Sequence, residues 1–373
     1  MDAKNNDWWI FDGMEELDSP ALLIYPDRVK ENIQEAIKMV GDVQKLRPHI
    51  KTNKSEEASR LMIKAGIQKF KCATIPEAEM LAMVGARDVL LAYQPVGPKL
   101  NRLVSLISKF PATKFSCMVD HPDAASQMSK VFSSAKISVP VYIDLNVGQN
   151  RTGIVPGDAM IELYISCSKL KGIEPVGLHA YDGHIRDLDW NLRKKNCDAA
   201  FSLIEKMRDE IKSKGLPSPK IIAGGSPTFS IHCSRPHIEC SPGTFIYWDK
   251  GYLDLCPEQN FLPAALVLTR VISRPGPSSI CIDLGHKSIA AENEIGRRVF
   301  FPAAPELKPT GQSEEHLVLQ TDGKRDWLIG EALFGMPYHI CPTVALYERA
   351  YTIESKRISG EWRTIARDKK IST

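Results

Sequence analysis

The sequence contains no CxxC pair, no apolar run close to the ~18 uninterrupted residues of a membrane helix, and almost no net charge. Each absence removes a class. Without such a run, a membrane-spanning protein is not expected. A net charge of +3 with scattered basic residues gives no electrostatic footprint for nucleic acid. The opening MDAKNNDWWIFDG has no basic segment followed by an apolar one, so a secretory leader is not expected. Nine cysteines at irregular spacing form no disulfide framework and suit reduced thiols, which makes the cytoplasm the expected address.

What is present is ordinary soluble composition, 43% hydrophobic and 25% charged, on a 373-residue chain. That length allows a large core and roughly two domains on the order of 150 residues each. Eight short apolar runs recur: Lys45–Lys51, Lys69–Ala73, Asp88–Tyr93, Lys114–Val119, Val141–Asn146, Pro175–Tyr181, Lys220–Ala223 and His237–Cys240. Helical patterns lie between them, at Glu56–Ala65, Pro76–Val84, Pro122–Val131, Asp158–Leu170 and Leu192–Lys214. Strands alternating with helices imply parallel pairing, and eight units imply a closed (β/α)8 TIM-type barrel; an open doubly wound sheet is the alternative.

After Trp248 the pattern turns strand-like, at Ala264–Ser273, Ser279–Leu284, Arg298–Phe301, His316–Gln320 and Trp327–Ile329. Turn clusters at Arg274-Pro-Gly-Pro and Thr321-Asp-Gly separate these runs. The early run Ala21–Tyr25 is expected to join them. The α/β chain therefore divides into a barrel, residues 27–250, and a mostly-β domain, residues 1–26 with 251–373.

A β/α barrel puts its chemistry at the C-terminal ends of its strands, often with phosphate bound after strands seven and eight. Those ends carry Gly224-Gly225-Ser226-Pro227-Thr228 and Ser241-Pro242-Gly243-Thr244. Glycines admit close backbone approach and hydroxyls donate, although such loops also occur as plain turns. Lys51 closes the first run. A lysine there is ordinarily a solvated surface residue, but a barrel mouth can desolvate an amine into a nucleophile.

The run Arg47-Pro-His-Ile-Lys51-Thr52 resembles the cofactor-lysine motif of the fold-type III pyridoxal-phosphate enzymes, within them the D-threonine aldolase and D-serine dehydratase group. DLNVGQNRTGI (144–154), AYDGHI (180–185), GGSPT (224–228), PGTFIYWD (242–249), SEEH (313–316) and HICPT (339–343) match in the same order. The resemblance runs from about Ser19 to about Tyr347.

It implies an alanine racemase-like N-terminal barrel with a β domain, working as a homodimer, and Lys51 as the Schiff-base residue for pyridoxal 5'-phosphate. Gly225, Thr228, Gly243 and Thr244 would contact the phosphate, with Asn150, Arg151 and Tyr181 around the ring. His339 and Cys341, two apart, would share a face in an extended segment. Alone such a pair is more often a core cysteine and a satisfied histidine. The resemblance makes it a divalent-metal site beside the cofactor, and imidazole with thiolate favours zinc, with manganese as the other candidate. His184 and Glu315 could act as acid–base or supporting groups, His184 being the catalytic candidate.

His-x-Cys leans toward the dehydratases, whereas the aldolases carry His-x-Asp; the ending CPTVALY suits the aldolases. The expected activity is therefore a lyase for D-3-hydroxy amino acids. Retro-aldol cleavage to glycine and an aldehyde stands first, and β-elimination of a D-serine or D-3-hydroxyaspartate type is the alternative. An amino-acid racemase is a minor alternative, needing a tyrosine base and leaving His339 and Cys341 unused. A non-catalytic cofactor carrier would lack the second domain, and a plain metal hydrolase would not need Lys51.

Overall fold

The computed structural model describes residues 7–372, so residues 1–6 and 373 of the expected β domain lie outside it. Contact clustering separates two units. One combines Gln34–Lys51, Ser59–Gly243 and the end of the chain from Ile365; the other combines the chain through Ile33, Thr52–Ala58 and Thr244–Thr364. In chain order the first strand, β1 (Ala21–Ile24), belongs to the second of these, and the next seven build the first.

Those seven are β2 (Lys69–Cys72), β3 (Asp88–Leu91), β4 (Lys114–Val119), β5 (Val139–Leu145), β6 (Ile173–Ala180), β7 (Lys220–Ala223) and β8 (Ile238–Cys240). They pair in sequence order, all parallel. Both faces of such a sheet are covered, which is why its strands are nearly continuous apolar runs. Crossover helices return the chain each time. Three begin with proline in the first turn, at Ile75–Met83, Pro98–Lys109 and Pro122–Ser134, where the missing N–H costs nothing.

The expected first strand, Lys45–Lys51, is not a regular strand. Lys45 ends a 3-10 turn, and Pro48 has no N–H to give a ladder. The segment nonetheless closes the barrel. Leu46 bridges Cys240 of β8 and His49 bridges Lys71 of β2, both in parallel sense. Arg47 N–H donates to Cys240 (2.9 Å) and His49 N–H to Pro242 (2.9 Å), while Ile50 and Lys71 N–H groups reach Lys71 and Pro48 carbonyls (2.9 and 2.8 Å). Eight staves result, one of them irregular.

Leu90, Met118, Tyr142 and Ile222 from four strands pack together in the interior, as the side-chain filling of a barrel requires. Gly177 admits the Tyr142 ring: a Cβ there would lie 2.5 Å from its Cε1. Arg47 is 1% exposed and ties the irregular stave to its neighbours. Its Nε donates to Glu239 (2.6 Å) and its Nη1 to Asp88 (2.7 Å) and the Phe70 carbonyl (3.3 Å).

The second unit is a sheet whose main path runs through β12 (Lys308–Gln312), β13 (Leu317–Gln320), β10 (Ser279–Ile282), β9 (Ala265–Gly276), β1, β15 (Arg349–Glu354) and β16 (Arg357–Arg363). The short β11 (Val299–Phe300) pairs β14 (Ala332–Pro337), which pairs β9. β1 sits inside the sheet, antiparallel to β9 and parallel to β15. Trp9, Phe11, Leu23, Tyr25, Leu268 and Phe334 belong to its core.

Three sequence expectations differ here. Trp327–Ile329 is not a strand; Leu328 and Ile329 are 65% and 62% exposed in the approach to a turn at Gly330. Arg274-Pro-Gly lies within the exposed end of β9 instead of a turn, because an edge position tolerates Pro275. β12, β14, β15 and β16 have no counterpart among the expected runs. No helix among the described residues is long and apolar enough to cross a membrane.

Replacing Arg47 would leave Asp88 without its cation and Glu239 with Lys69 alone beside the closing stave. Arg47→Met should lower the unfolding free energy by roughly 3–5 kcal/mol in urea titrations. A loss under about 1 kcal/mol would show that closure does not depend on these ion pairs.

Candidate active site

Lys51 leaves the irregular stave half-buried, its backbone N–H donating to His49 Nδ1 (3.3 Å). Its amine lies 5.9 Å from the centre of the Tyr181 ring. Two more cations meet that ring: the Arg151 guanidinium at 5.2 Å and the Lys71 amine at 5.7 Å. Tyr181 follows β6 and presses against loop backbone on both sides. A Cβ on Gly183 would sit 2.0 Å from its hydroxyl oxygen, and one on Gly225 would sit 2.8 Å from its Cε2. Glycine at these two positions is what lets the ring lie there.

Arg151 rides on the loop after β5, which its own polar groups pin. Asn146 Oδ1 accepts from the N–H groups of Gly148 (3.1 Å) and Asn150 (3.0 Å), and Thr152 donates to Asp144 (2.9 Å). Asn150 adopts φ 52° and turns its side chain back to Asn146 (3.0 Å), exposed to solvent rather than toward Tyr181. Gln149, from the same loop, has a buried Oε1 without a hydrogen-bond partner and lines a small pocket with Arg151, His179 and Tyr181.

The glycine loops are equally fixed. Gly224 needs φ +84°, and Gly225 N–H donates to Thr228 Oγ1 (3.3 Å). Gly243 N–H donates to Ser226 Oγ (3.4 Å). Thr228 Oγ1 donates to Asp182 (2.6 Å), which also pairs with His232 Nε2 (2.8 Å). Burial works against the Asp182 carboxylate, but the His232 and Thr228 contacts hold it below the usual carboxylate range.

Cys197 Sγ completes this buried cluster, 3.3 Å from His232 Nε2 and 3.7 Å from Asp182. Asp182, Cys197 and His232 are the group of metal-capable ligands that converges among the described residues. Burial pushes the Cys197 thiol up to about 12, and the carboxylate–imidazole spacing is that of a shared proton. In this protonation state the cluster buttresses Thr228; a metal would have to displace those protons.

In the second unit, His339 is not in an extended run with Cys341. It caps the helix Ile340–Leu346, and Cys341 occupies the first turn. The two side chains still hydrogen-bond. His339 Nδ1 also contacts Glu292, and Cys341 Sγ lies 3.0 Å from Thr52 Oγ1 and 3.7 Å from Thr244 Oγ1. Burial opposes a charge on His339, yet the Cys341 and Glu292 contacts push it up to about 9. An imidazole and a thiol in contact, with a carboxylate on the far side of the imidazole, are donor types that suit a zinc-like cation, although the three do not converge as Asp182, Cys197 and His232 do.

Thr244, expected at the phosphate, is thus a neighbour of Cys341. Glu315 forms an exposed ion pair with Lys287 (3.0 Å). His184 is exposed, with Nε2 against Gly148, and lines a cavity of about 670 Å³ with Val147, Ile185, Arg186, Asp187 and Leu203. Sequence reasoning missed Lys71, Asp182, Cys197, His232 and Glu292. For Lys71 a signal existed: a lysine at the inward phase of a parallel strand is anomalous.

Around Tyr181, then, stand three cations, an orphaned amide oxygen and the Gly224–Thr228 loop, to which Gly243 of the second glycine loop is bonded through Ser226. That donor set suits an aldehyde cofactor with an anionic phosphate, and the residues fit it.

Residues 24–250 match the family model described as alanine racemase, N-terminal domain, and residues 264–353 match a putative serine dehydratase domain. The chain is 25% identical over 363 residues to a D-threonine aldolase from Arthrobacter sp., covering 95% of this chain and 94% of the relative. It is 24% identical over 368 residues to a D-threo-3-hydroxyaspartate dehydratase from Delftia sp. (strain HT23), covering 90% and 94%. The solved D-threonine aldolase of Filomicrobium marinum superposes with a TM-score of 0.87 at 23% identity, covering 95% of this chain and 96% of that one.

Gly225→Ala tests the cradle. The added methyl must displace the Tyr181 ring, so pyridoxal-phosphate affinity should fall about tenfold, ~1.4 kcal/mol, in an equilibrium titration of the apoprotein. Unchanged affinity would separate this loop from cofactor binding.

Proposed function

We infer the function from one premise: this chain belongs to the alanine racemase N-terminal-domain family of fold-type III pyridoxal-phosphate enzymes, with a match to a putative serine dehydratase domain following in sequence. It is a pyridoxal-phosphate- and metal-dependent carbon lyase that acts on D-3-hydroxy amino acids. Aldolase-type cleavage to glycine and an aldehyde is the leading reading. Dehydratase-type elimination is the second, favoured by Cys341 beside His339 where the aldolases carry an aspartate. The observation that carries the lyase reading is the Lys51 amine gathered at the Tyr181 ring with Arg151 and Lys71.

Lys51 would hold the cofactor covalently. Gly225, Thr228 and Gly243 would hold its phosphate through loops that hydrogen bonds already fix, so little ordering is needed on binding. Pyridoxal phosphate, once bound, supplies an electron sink for charge developing at Cα. Arg151 keeps a permanent cation at the ring, and Tyr181 shields one face of the site from water. His339 and Cys341 would hold the metal, whose Lewis acidity suits an alcohol oxygen. His184, exposed at its cavity wall, would be the catalytic acid–base candidate.

The chain would work as a homodimer in the cytoplasm. All nine cysteines are free and seven are buried, which accords with a reducing compartment.

The deciding experiment supplies the holoenzyme with D-threonine and D-serine and measures aldehyde against keto acid. Aldehyde with glycine supports the aldolase; 2-oxobutanoate or pyruvate supports the dehydratase; neither product removes both. A chelator should abolish turnover and Zn²⁺ or Mn²⁺ restore it, and Lys51→Ala should lose at least ~10³-fold in kcat. Full turnover after chelation would disqualify His339 and Cys341 as metal ligands.

A further inference from the structure

Lys71 is 2% exposed and has no carboxylate at ion-pair distance among the described residues. A buried amine without a counter-charge costs more than an apolar side chain of equal length, so a purely packing role does not account for it. Its hydrogen-bond partner is His179 Nε2, at 3.3 Å. On the far side of that ring, His179 Nδ1 pairs with Asp144 Oδ1 at 2.7 Å. An ionised carboxylate only accepts, so Nδ1 carries the proton and Nε2 offers its lone pair to Lys71. The order carboxylate, imidazole, amine is that of a group oriented by a second and a third. Its outer member faces the same aromatic ring as Lys51, 5.7 against 5.9 Å.

We propose that Lys71 is a second acid–base amine of this site, oriented by Asp144 and His179. The proposal rests on the lyase reading above and adds a proton carrier to it. In its neutral form Lys71 Nζ takes the substrate hydroxyl proton into its lone pair. The O–H electron pair becomes the second C–O bond of the released aldehyde as Cα–Cβ breaks. The Cα–Cβ pair stays with Cα, which receives the proton back from the Lys71 ammonium to complete glycine. Nothing beyond substrate and amine is consumed.

The surroundings keep such an amine poised. Burial and the neighbouring Lys51 charge bring Lys71 down to about 7, Asp144 and Asp182 oppose this, and Arg47 adds to it. Facing it from the remaining side, His179 is itself held below its usual range by burial and by Lys71, against the pull of Asp144. Because the lowered value means that the ammonium is lost as pH rises through 7, the proton-accepting form grows on that rise.

The test has two arms. In the apoprotein with ¹⁵N-labelled lysine, the Lys71 resonance, assigned by its loss in Lys71→Arg, should titrate with a midpoint near 7. In the holoenzyme, Lys71→Met and Lys71→Arg should each lose about 100-fold in kcat with little change in KM. Both should lack the acid-side limb near pH 7, since arginine cannot release its proton, while borohydride still fixes the cofactor on Lys51. A midpoint above about 9.5 in the apoprotein, or a retained limb with kcat within about threefold, overturns the proposal. Should Lys71→Met fail to fold, the titration of the wild-type apoprotein decides alone. Absence of a borohydride-fixed adduct on wild-type Lys51 would instead sink the cofactor reading, and this proposal with it.

Discussion

One buried guanidinium makes the barrel possible. Seven regular strands leave two open edges, and the stave that must join them carries Pro48 and bridges its neighbours only at Leu46 and His49. Arg47 supplies the missing cohesion by reaching β8 through Glu239, β3 through Asp88 and β2 through the Phe70 carbonyl. Its planar fork serves three acceptors at once, which a lysine ammonium on a flexible stem does poorly. Burial penalises its charge, but the two carboxylates more than offset this and hold it firmly ionised. With Leu46 and His49 fixed in register, the direction of Lys51 four residues later follows from the chain itself.

The same interior that buries Leu90, Met118, Tyr142 and Ile222 also accommodates Lys71, His179 and Asp144. Polar groups survive there only because each has a partner of the right sense. Asp144 is kept ionised against its burial by His179 and Thr152, and His179 spends both nitrogens, one on Asp144 and one on Lys71. Behind the glycine loop the second network, Thr228–Asp182–His232–Cys197, follows the same rule except at His232 Nδ1, which is buried without a partner. Ligand identity alone does not separate a buttress from a metal centre. Proton-sharing distances and a thiol held protonated place this cluster with the buttresses in its present state.

Much of this was legible in the chain. Apolar runs bounded by turn residues located seven barrel strands to within two or three residues, because a doubly covered parallel strand has no polar face to blur it. The Lys51 motif and both glycine loops could be read because strand ends and φ-demanding turns leave local marks. Edge strands do not. β12, with Pro309 and Gly311, and β16, almost wholly exposed, are strands only because a neighbour pairs with them. Nor does sequence reveal which loop side chains turn inward: Asn150 and Arg151 are adjacent, yet one folds back on Asn146 and the other reaches Tyr181. Lys71, Asp182, Cys197 and Glu292 come from four separate parts of the chain, and only the fold gives them partners.

Charge bookkeeping around Tyr181 explains why the site awaits an anion. Lys51, Arg151 and Lys71 surround one ring, and the carboxylate beside them, Asp144, is already committed to His179 and Thr152. A nearly neutral chain has thus gathered three cations at one ring, with Arg151 exposed, Lys51 half-buried and Lys71 fully buried where screening is weak. Such an arrangement is costly by itself and is relieved by a ligand with more than one negative charge, as a phosphate ester is. It is also relieved by giving up a proton, and the buried Lys71 is the member best placed to do so. Loading and deprotonation therefore settle the same repulsion together: the anion answers Lys51 and Arg151, and Lys71, lowered to about 7, sheds its proton and serves as the acceptor.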